Sequence, residues 1–179
     1  LHEGGLVERA IQEAIKDLLE RTSDTARKVI DDDDSINALE VEIDEFCLKL
    51  LALRQPAARD LRFITTAIKI NYDLERIGDM AVNICERVLE LNQESQLKPY
   101  IDLPTMASIV QTMVKESLDA FVKEDVQLAL KVTQDDEKVD SYLDQLFREL
   151  LTYMMQDART ISRATRLLFI SKNLERMAD

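Results

Sequence analysis

Phe63-Ile-Thr-Thr-Ala-Ile-Lys-Ile-Asn-Tyr-Asp-Leu-Glu-Arg-Ile-Gly-Asp-Met-Ala-Val-Asn-Ile-Cys-Glu-Arg-Val-Leu-Glu-Leu91 carries an unbroken apolar stripe. Phe63, Ala67, Ile70, Leu74, Ile77, Ala81, Ile84, Val88 and Leu91 succeed one another at alternating steps of four and three residues. That alternation places all nine on one side of a single long helix, as the seam of an antiparallel helical bundle requires. Pro56 lies just upstream and suits the first turn of this helix. Ahead of it, Asp31 to Asp34 open a second helix with Ile36, Leu39, Ile43, Phe46, Leu50 and Leu53 on its apolar face. Acid at a helix N-terminus is favoured by the backbone dipole. A first helix runs from Leu6 to Leu19, and Arg21-Thr-Ser-Asp-Thr25 predicts a break followed by a short continuation through Val29 and Ile30.

Downstream, Asn92 to Pro104 holds two of the three prolines and reads as a linker over 93–104. Helical periodicity resumes at Thr105, breaks near Glu124-Asp125, runs through Met155, and starts again near Thr160. The order of elements in the first half thus recurs in the second. Ala58–Asp79 laid on Ala158–Asp179 without gaps gives eight identities, including Leu74-Glu-Arg on Leu174-Glu-Arg, and Lys28-Val falls on Lys131-Val upstream. The expected fold is all-α: two tandem three-helix units, 1–92 and 105–179, related by an internal repeat. Leu1 instead of Met reads as a trimmed start, and the repeat predicts a sixth helix longer than the segment reaching Asp179.

Composition agrees. With 3 Gly and 3 Pro in 179 residues, the chain lacks the turns that a sandwich, barrel or doubly wound fold needs. The formal charge of −12 excludes duplex nucleic acid and anionic lipid as direct partners. No apolar run reaches the roughly 20 residues of a membrane span. Cys47 and Cys85 lie in helical patterns and read as buried free thiols of a reducing cytoplasm. The single histidine, His2, leaves no Ser/His or Cys/His arrangement to build, and no glycine-rich phosphate loop exists. An enzyme is not expected. Gly78, alone inside a helix, reads as a place where another helix comes close.

Acidic side chains carry the remaining signal. Glu75 and Asp79 stand four apart on one helix face, and so do Glu175 and Asp179. Such like-charge pairs cost a few tenths of a kcal/mol unless something neutralises them. In an antiparallel hairpin, residues equidistant from the turn lie level. Asp33 is then level with Asp79 and Asn37 with Glu75, both pairs centred on Pro56. Asp136 with Asp179, and Asp140 with Glu175, are centred between Asp157 and Ala158. Each hairpin therefore brings four oxygen-bearing side chains to one height, which suits either a hard-metal site or a solvated acidic face. Asn37 breaks the all-acid pattern, so the first cluster should be weaker or different. Glu40 and Asp44 continue its face as surface charge or as an enlargement of the cluster. Arg54, Arg59 and Arg62 flank the Pro56 turn as the one concentrated basic patch, fit for an acidic partner, for phosphate, or for a helix-start salt-bridge network.

Two segments resemble a known family. Arg54-Gln-Pro-Ala-Ala-Arg-Asp-Leu-Arg62 with Leu74-Glu-Arg-Ile-Gly-Asp79, and Met154-Met-Gln-Asp-Ala-Arg-Thr-Ile161 with Leu174-Glu-Arg-Met-Ala-Asp179, look like the two signatures of the PhoU family of phosphate-uptake regulators. The likeness spans essentially the whole chain. It implies a cytoplasmic homodimer of pseudo-twofold helical protomers. It also implies metal ions (iron, zinc, manganese or magnesium) held by Asp33, Glu75, Asp79, Asp136, Asp140, Glu175 and Asp179, with Asn37 departing from the pattern. The implied role is regulatory: restraining phosphate uptake and the phosphate-starvation response by connecting the ATPase of a phosphate ABC transporter with a membrane sensor histidine kinase. Contact with the membrane would then be peripheral, through those proteins. An accessory protein of another phosphate or cation transporter, and a metal-storing bundle, are the alternatives.

Overall fold

The computed structural model describes residues 1–179. The helices are α1 (His2–Glu20), α2 (Asp24–Asp31), α3 (Asp33–Arg54), α4 (Ala58–Asn92), α5 (Asp102–Lys123), α6 (Val126–Gln156) and α7 (Ile161–Ala178), with one 3₁₀ turn at Ala158–Thr160 and no strand. α1, α3 and α4 pack as one three-helix unit; α5, α6 and α7 pack as the other. The short α2 is the expected continuation after the Arg21–Thr25 break. It corresponds to the start of α6, which runs without interruption where its counterpart turns at Asp32.

The stops have local causes. Arg21 and Glu124 end α1 and α5 in the left-handed region, with φ of 57° and 53°. From there Arg21 donates to the carbonyls of Leu91 and Asn92, each at 3.2 Å, and so satisfies the end of α4. Asp125 caps α6 by accepting from the Leu128 amide. The Pro56 turn differs from expectation: α4 begins at Ala58, so Pro56 stands in the loop ahead of its first turn.

The two units are fused through one hydrophobic core. α1 packs on α5 and α4 on α7, so Val7, Ile11 and Leu18 share a core with Ile84, Val88, Leu91, Val110, Leu146, Leu167, Ile170 and Leu174. Each fully buried large side chain contributes about 1.5–3 kcal/mol. Gly4 permits the α1–α5 contact, since a Cβ there would lie 2.2 Å from Leu118 Cδ1. Gly78 permits the close approach of α3 to α4: a Cβ there would lie 3.3 Å from both Ile36 Cδ1 and Ile36 Cγ2.

Two apolar stripes are less covered than the periodicity suggests. The α4 seam is buried from Leu74 onward except for the half-buried Ile77, but Phe63 is exposed and Ala67 and Ile70 are half-buried. α7 runs antiparallel to α4 and ends near Ile77, leaving Phe63 to stack on Phe121 of α5 with ring centroids 4.6 Å apart. α3 buries only Ile36 and Cys47 fully; Phe46 and Leu53 stay 60% and 81% exposed, because α3 lies on the outside of α4 with no helix beyond it. Cys47 and Cys85 are both buried free thiols.

Candidate functional site

The α3–α4 hairpin brings Asp33, Asn37, Glu75 and Asp79 to one level, as the equidistance argument requires. Asn37 Nδ2 donates to Asp33 Oδ2 at 3.3 Å. Burial, and next the charge of Asp79, hold the Asp33 carboxyl above the ordinary carboxylate range, while the Asn37 hydrogen bond opposes them. Glu75 is raised as well, by burial first and then by Asp79, Glu40 and Asp33. Glu40 therefore belongs to the cluster and is not detached surface charge. Asp79 itself is solvent-exposed.

A further carboxylate enters from α1. Glu3 is only 2% exposed, and its carboxyl is pushed up to about 7, by burial first and then by the charge of Glu40, with Glu75 adding to it. Its sequence signal was its place on the apolar stripe, one four-residue step before Val7. An acid on the buried face of an amphipathic helix is the exception that calls for a partner.

The α6–α7 hairpin repeats the arrangement with Asp136, Asp140, Glu175 and Asp179. Burial, then the charges of Asp140, Asp179 and Glu175, raise the Asp136 carboxyl. Here a cation is already present: Lys172 Nζ donates to Glu175 Oε1 at 2.6 Å. Asp135, the neighbour of Asp136, turns away from the cluster and pairs with Lys131 and Lys138.

Several oxygens of these clusters lack any hydrogen-bond donor. They are Glu3 Oε1, Asp33 Oδ1 and Asn37 Oδ1 in the first, and Asp136 Oδ1 and Glu175 Oε2 in the second. Buried acceptors without donors cost about 1–3 kcal/mol each, more when charged. As the side chains stand, no three His, Cys, Asp or Glu residues are grouped closely enough to enclose a metal ion. Mutual repulsion among uncompensated carboxylates has the same sense as that spacing. The donor set, all oxygen and mostly anionic, suits a hard divalent cation.

The basic patch divides. Arg59 is committed to Glu124 across the two units, with Nε 3.2 Å from Oε1. That pair links the α3–α4 turn to the α5–α6 turn, so it is not a network within the helix start. Arg54 and Arg62 remain exposed without an ion pair, and Arg62 joins Phe63 and Phe121 in lining a surface hollow of about 420 Å³. No helix is long and apolar enough to cross a membrane.

Known proteins share this architecture over its whole length. A PhoU domain matches residues 1–88 and 103–179. The phosphate-specific transport system accessory protein PhoU homolog of Aquifex aeolicus is 45% identical over 171 residues, covering 96% of this chain and 77% of the relative. The crystal structure of PhoU from Pseudomonas aeruginosa superposes with a TM-score of 0.95 at 44% identity, covering all of this chain and 86% of that one. That of the phosphate transport system regulatory protein PhoU from Streptococcus pneumoniae gives 0.89 at 31% identity, over 99% of this chain and 84% of the other. With the match in both repeats and at this identity, the chain belongs to the PhoU family.

Proposed function

We propose that this chain regulates phosphate transport as an accessory protein, restraining uptake and the phosphate-starvation response when phosphate is plentiful. One observation carries the reading: near-complete alignment, at 45% identity, with a protein named as an accessory of the phosphate-specific transport system. The role is binding and not catalysis. In this reading the chain acts in the cytoplasm as a homodimer and links the ATPase subunit of a phosphate ABC transporter to a membrane sensor histidine kinase. The apolar side chains exposed along the outer helices, among them Phe46, Leu53, Phe147 and Met155, support a protein that works by docking others. Arg54 and Arg62, free of intramolecular partners, are available to an acidic segment or to phosphate.

The metal part of the proposal rests on the unpartnered oxygens. Asp33, Asn37, Glu75 and Asp79 would hold one cation centre, and Asp136, Asp140, Glu175 and Asp179 the other. A bound cation supplies neutralising charge, and these residues would then tie α3 to α4 and α6 to α7.

Deletion of the gene tests the regulatory role. Phosphate uptake and alkaline phosphatase expression should rise in phosphate-rich medium; unchanged levels defeat the reading. Capture of the chain with its transporter, followed by identification of the bound subunit, separates the phosphate transporter from any other. For the metal part, elemental analysis of wild type and Asp79→Ala should show loss of metal in the variant.

A further inference from the structure

The two repeats share one order of helices, but their carboxylate clusters are not equal. Arg21 and Glu124, the left-handed residues that close α1 and α5, set the register between these helices, and Lys28-Val on Lys131-Val sets it between α3 and α6. In that register Glu3 falls on Met106 and Glu40 on Leu143. Met106 is fully buried and Leu143 packs against the core. The fold therefore fills these positions with apolar side chains in one half and with carboxylates in the other. Burial of an acid at position 3 is not forced by the architecture, and a methionine there would avoid the desolvation cost.

The first cluster also holds no ion-paired counterion: the Leu1 amine acts on Glu3, and Arg76 on Glu75, only from a distance. Lys172 neutralises Glu175 in the second repeat, whereas the matching position of the first is Tyr72, which is exposed. Arg76, next to Glu75, turns toward Asp73 and the Tyr72 ring. Glu3, Asp33, Glu40, Glu75 and Asp79 are thus gathered without any lysine or arginine in ion-pair contact with them. Glu3 Oε1, in a side chain only 2% exposed, has no donor, and the charges of Glu40 and Glu75 act on this carboxyl.

We infer that Glu3 is a cation ligand supplied by α1, which makes the first-repeat centre a three-helix site and the tighter of the two for a hard divalent ion. The inference rests on the metal reading given above and adds to it. The Asn37 position, which removes one charge from the hairpin quartet, is more than offset by Glu3 and Glu40. Cation binding through Glu3 would fasten the start of α1 to the α3–α4 hairpin, a tie that the second repeat, with Met106, cannot make. The first centre then reports on α1 as well as on its own hairpin.

Manganese(II) titration followed by electron paramagnetic resonance tests this on the whole chain. Wild type should bind manganese at two centres of unequal affinity. Glu3→Gln, isosteric and uncharged, should weaken the tighter centre by about tenfold or more, the loss that even outer-sphere partners of a metal cause. Glu175→Gln should affect only the weaker centre. Glu3→Met, copying Met106, should fold at least as stably as wild type without metal and lose the tighter centre. Two centres in wild type with Glu3→Gln and Glu3→Met indistinguishable from it overturn the role of Glu3 alone. Absence of binding by wild type at millimolar manganese overturns it together with the metal reading.

Discussion

Lys172 Nζ sits 2.6 Å from Glu175 Oε1, one turn apart on α7, in the middle of the second carboxylate cluster. Lysine there stands in for part of the charge that a divalent ion would bring. Glu175 is nearly buried while Lys172 is half exposed, so removal of the lysine leaves a poorly solvated carboxylate with one oxygen already lacking a donor. Lys172→Gln should lower the stability of the metal-free protein by about 1 kcal/mol. In saturating manganese the deficit should disappear, because the ion takes over the neutralisation. Thermal melts with chelator and with manganese check both halves, and a deficit that persists with metal would count against a cation at this cluster.

The contact between Gly78 and Ile36 leads to a packing test. A Cβ at position 78 would already stand 3.3 Å from two Ile36 carbons, one of them the Cγ2 of a β-branched side chain that cannot swing aside freely. Gly78→Val should therefore separate α3 from α4 and cost about 2 kcal/mol or more by overpacking. Ile36→Ala in the same chain should recover part of that loss, giving a favourable coupling energy in a double-mutant cycle. Additive effects in denaturant melts would show that the two residues do not limit the helix approach.

How much of this could be read beforehand depends on the range over which each signal acts. The α4 seam, the Arg21–Thr25 break and the linker are local patterns, and the sequence positions of Asp33, Asn37, Glu75 and Asp79 follow from hairpin geometry alone. Cover is different. Periodicity places Phe46 and Leu53 on the apolar face of α3, yet whether another helix lies over that face is a tertiary fact, and here none does. Glu3 escaped for a related reason. Spacing at i,i+4 relates acids within one helix, and equidistance from a turn relates acids across one hairpin, whereas Glu3 reaches the cluster from a helix more than a hairpin away. The fusion of two units into one core was equally silent, since α1 and α5 carry the same stripe whether they face each other or not.

Asp17 makes a prediction about acid. It is buried near the end of α1 and accepts hydrogen bonds from Thr22 Oγ1 at 2.7 Å, from Thr25 Oγ1, and from the Ala26 amide at 2.7 Å. Burial alone would raise its carboxyl, but the donors from Thr22, Thr25 and Ala26 outweigh it and hold the group below the ordinary range. A depressed carboxylate stabilises the fold above its unfolded value of about 4, and that contribution is lost as pH falls through the lower folded value. Asp17→Asn should cost about 2 kcal/mol at neutral pH by breaking the α1–α2 connection. The gap to wild type should close in strong acid, as followed by helical circular dichroism; a gap independent of pH would mean that the ionised form is not what holds the turn.

Glu3 makes the opposite prediction for the metal-free protein. Its folded-state carboxyl, pushed up to about 7 by burial and then by Glu40, lies above the unfolded value near 4.3. Between these values the folded chain holds a proton that the unfolded chain has released, so the Glu3 contribution to stability is largest below about pH 4 and declines as pH rises toward 7. Glu3→Gln removes the group and with it this share of the decline. With chelator present, wild type should therefore lose more melting temperature than Glu3→Gln between pH 5 and pH 8. Manganese should reverse the order at pH 8, because a carboxylate must shed its proton to ligate and only wild type offers one there. Parallel pH profiles in chelator, or equal stabilisation of both proteins by manganese, would leave the buried glutamate as a neutral packing residue with no part in cation binding.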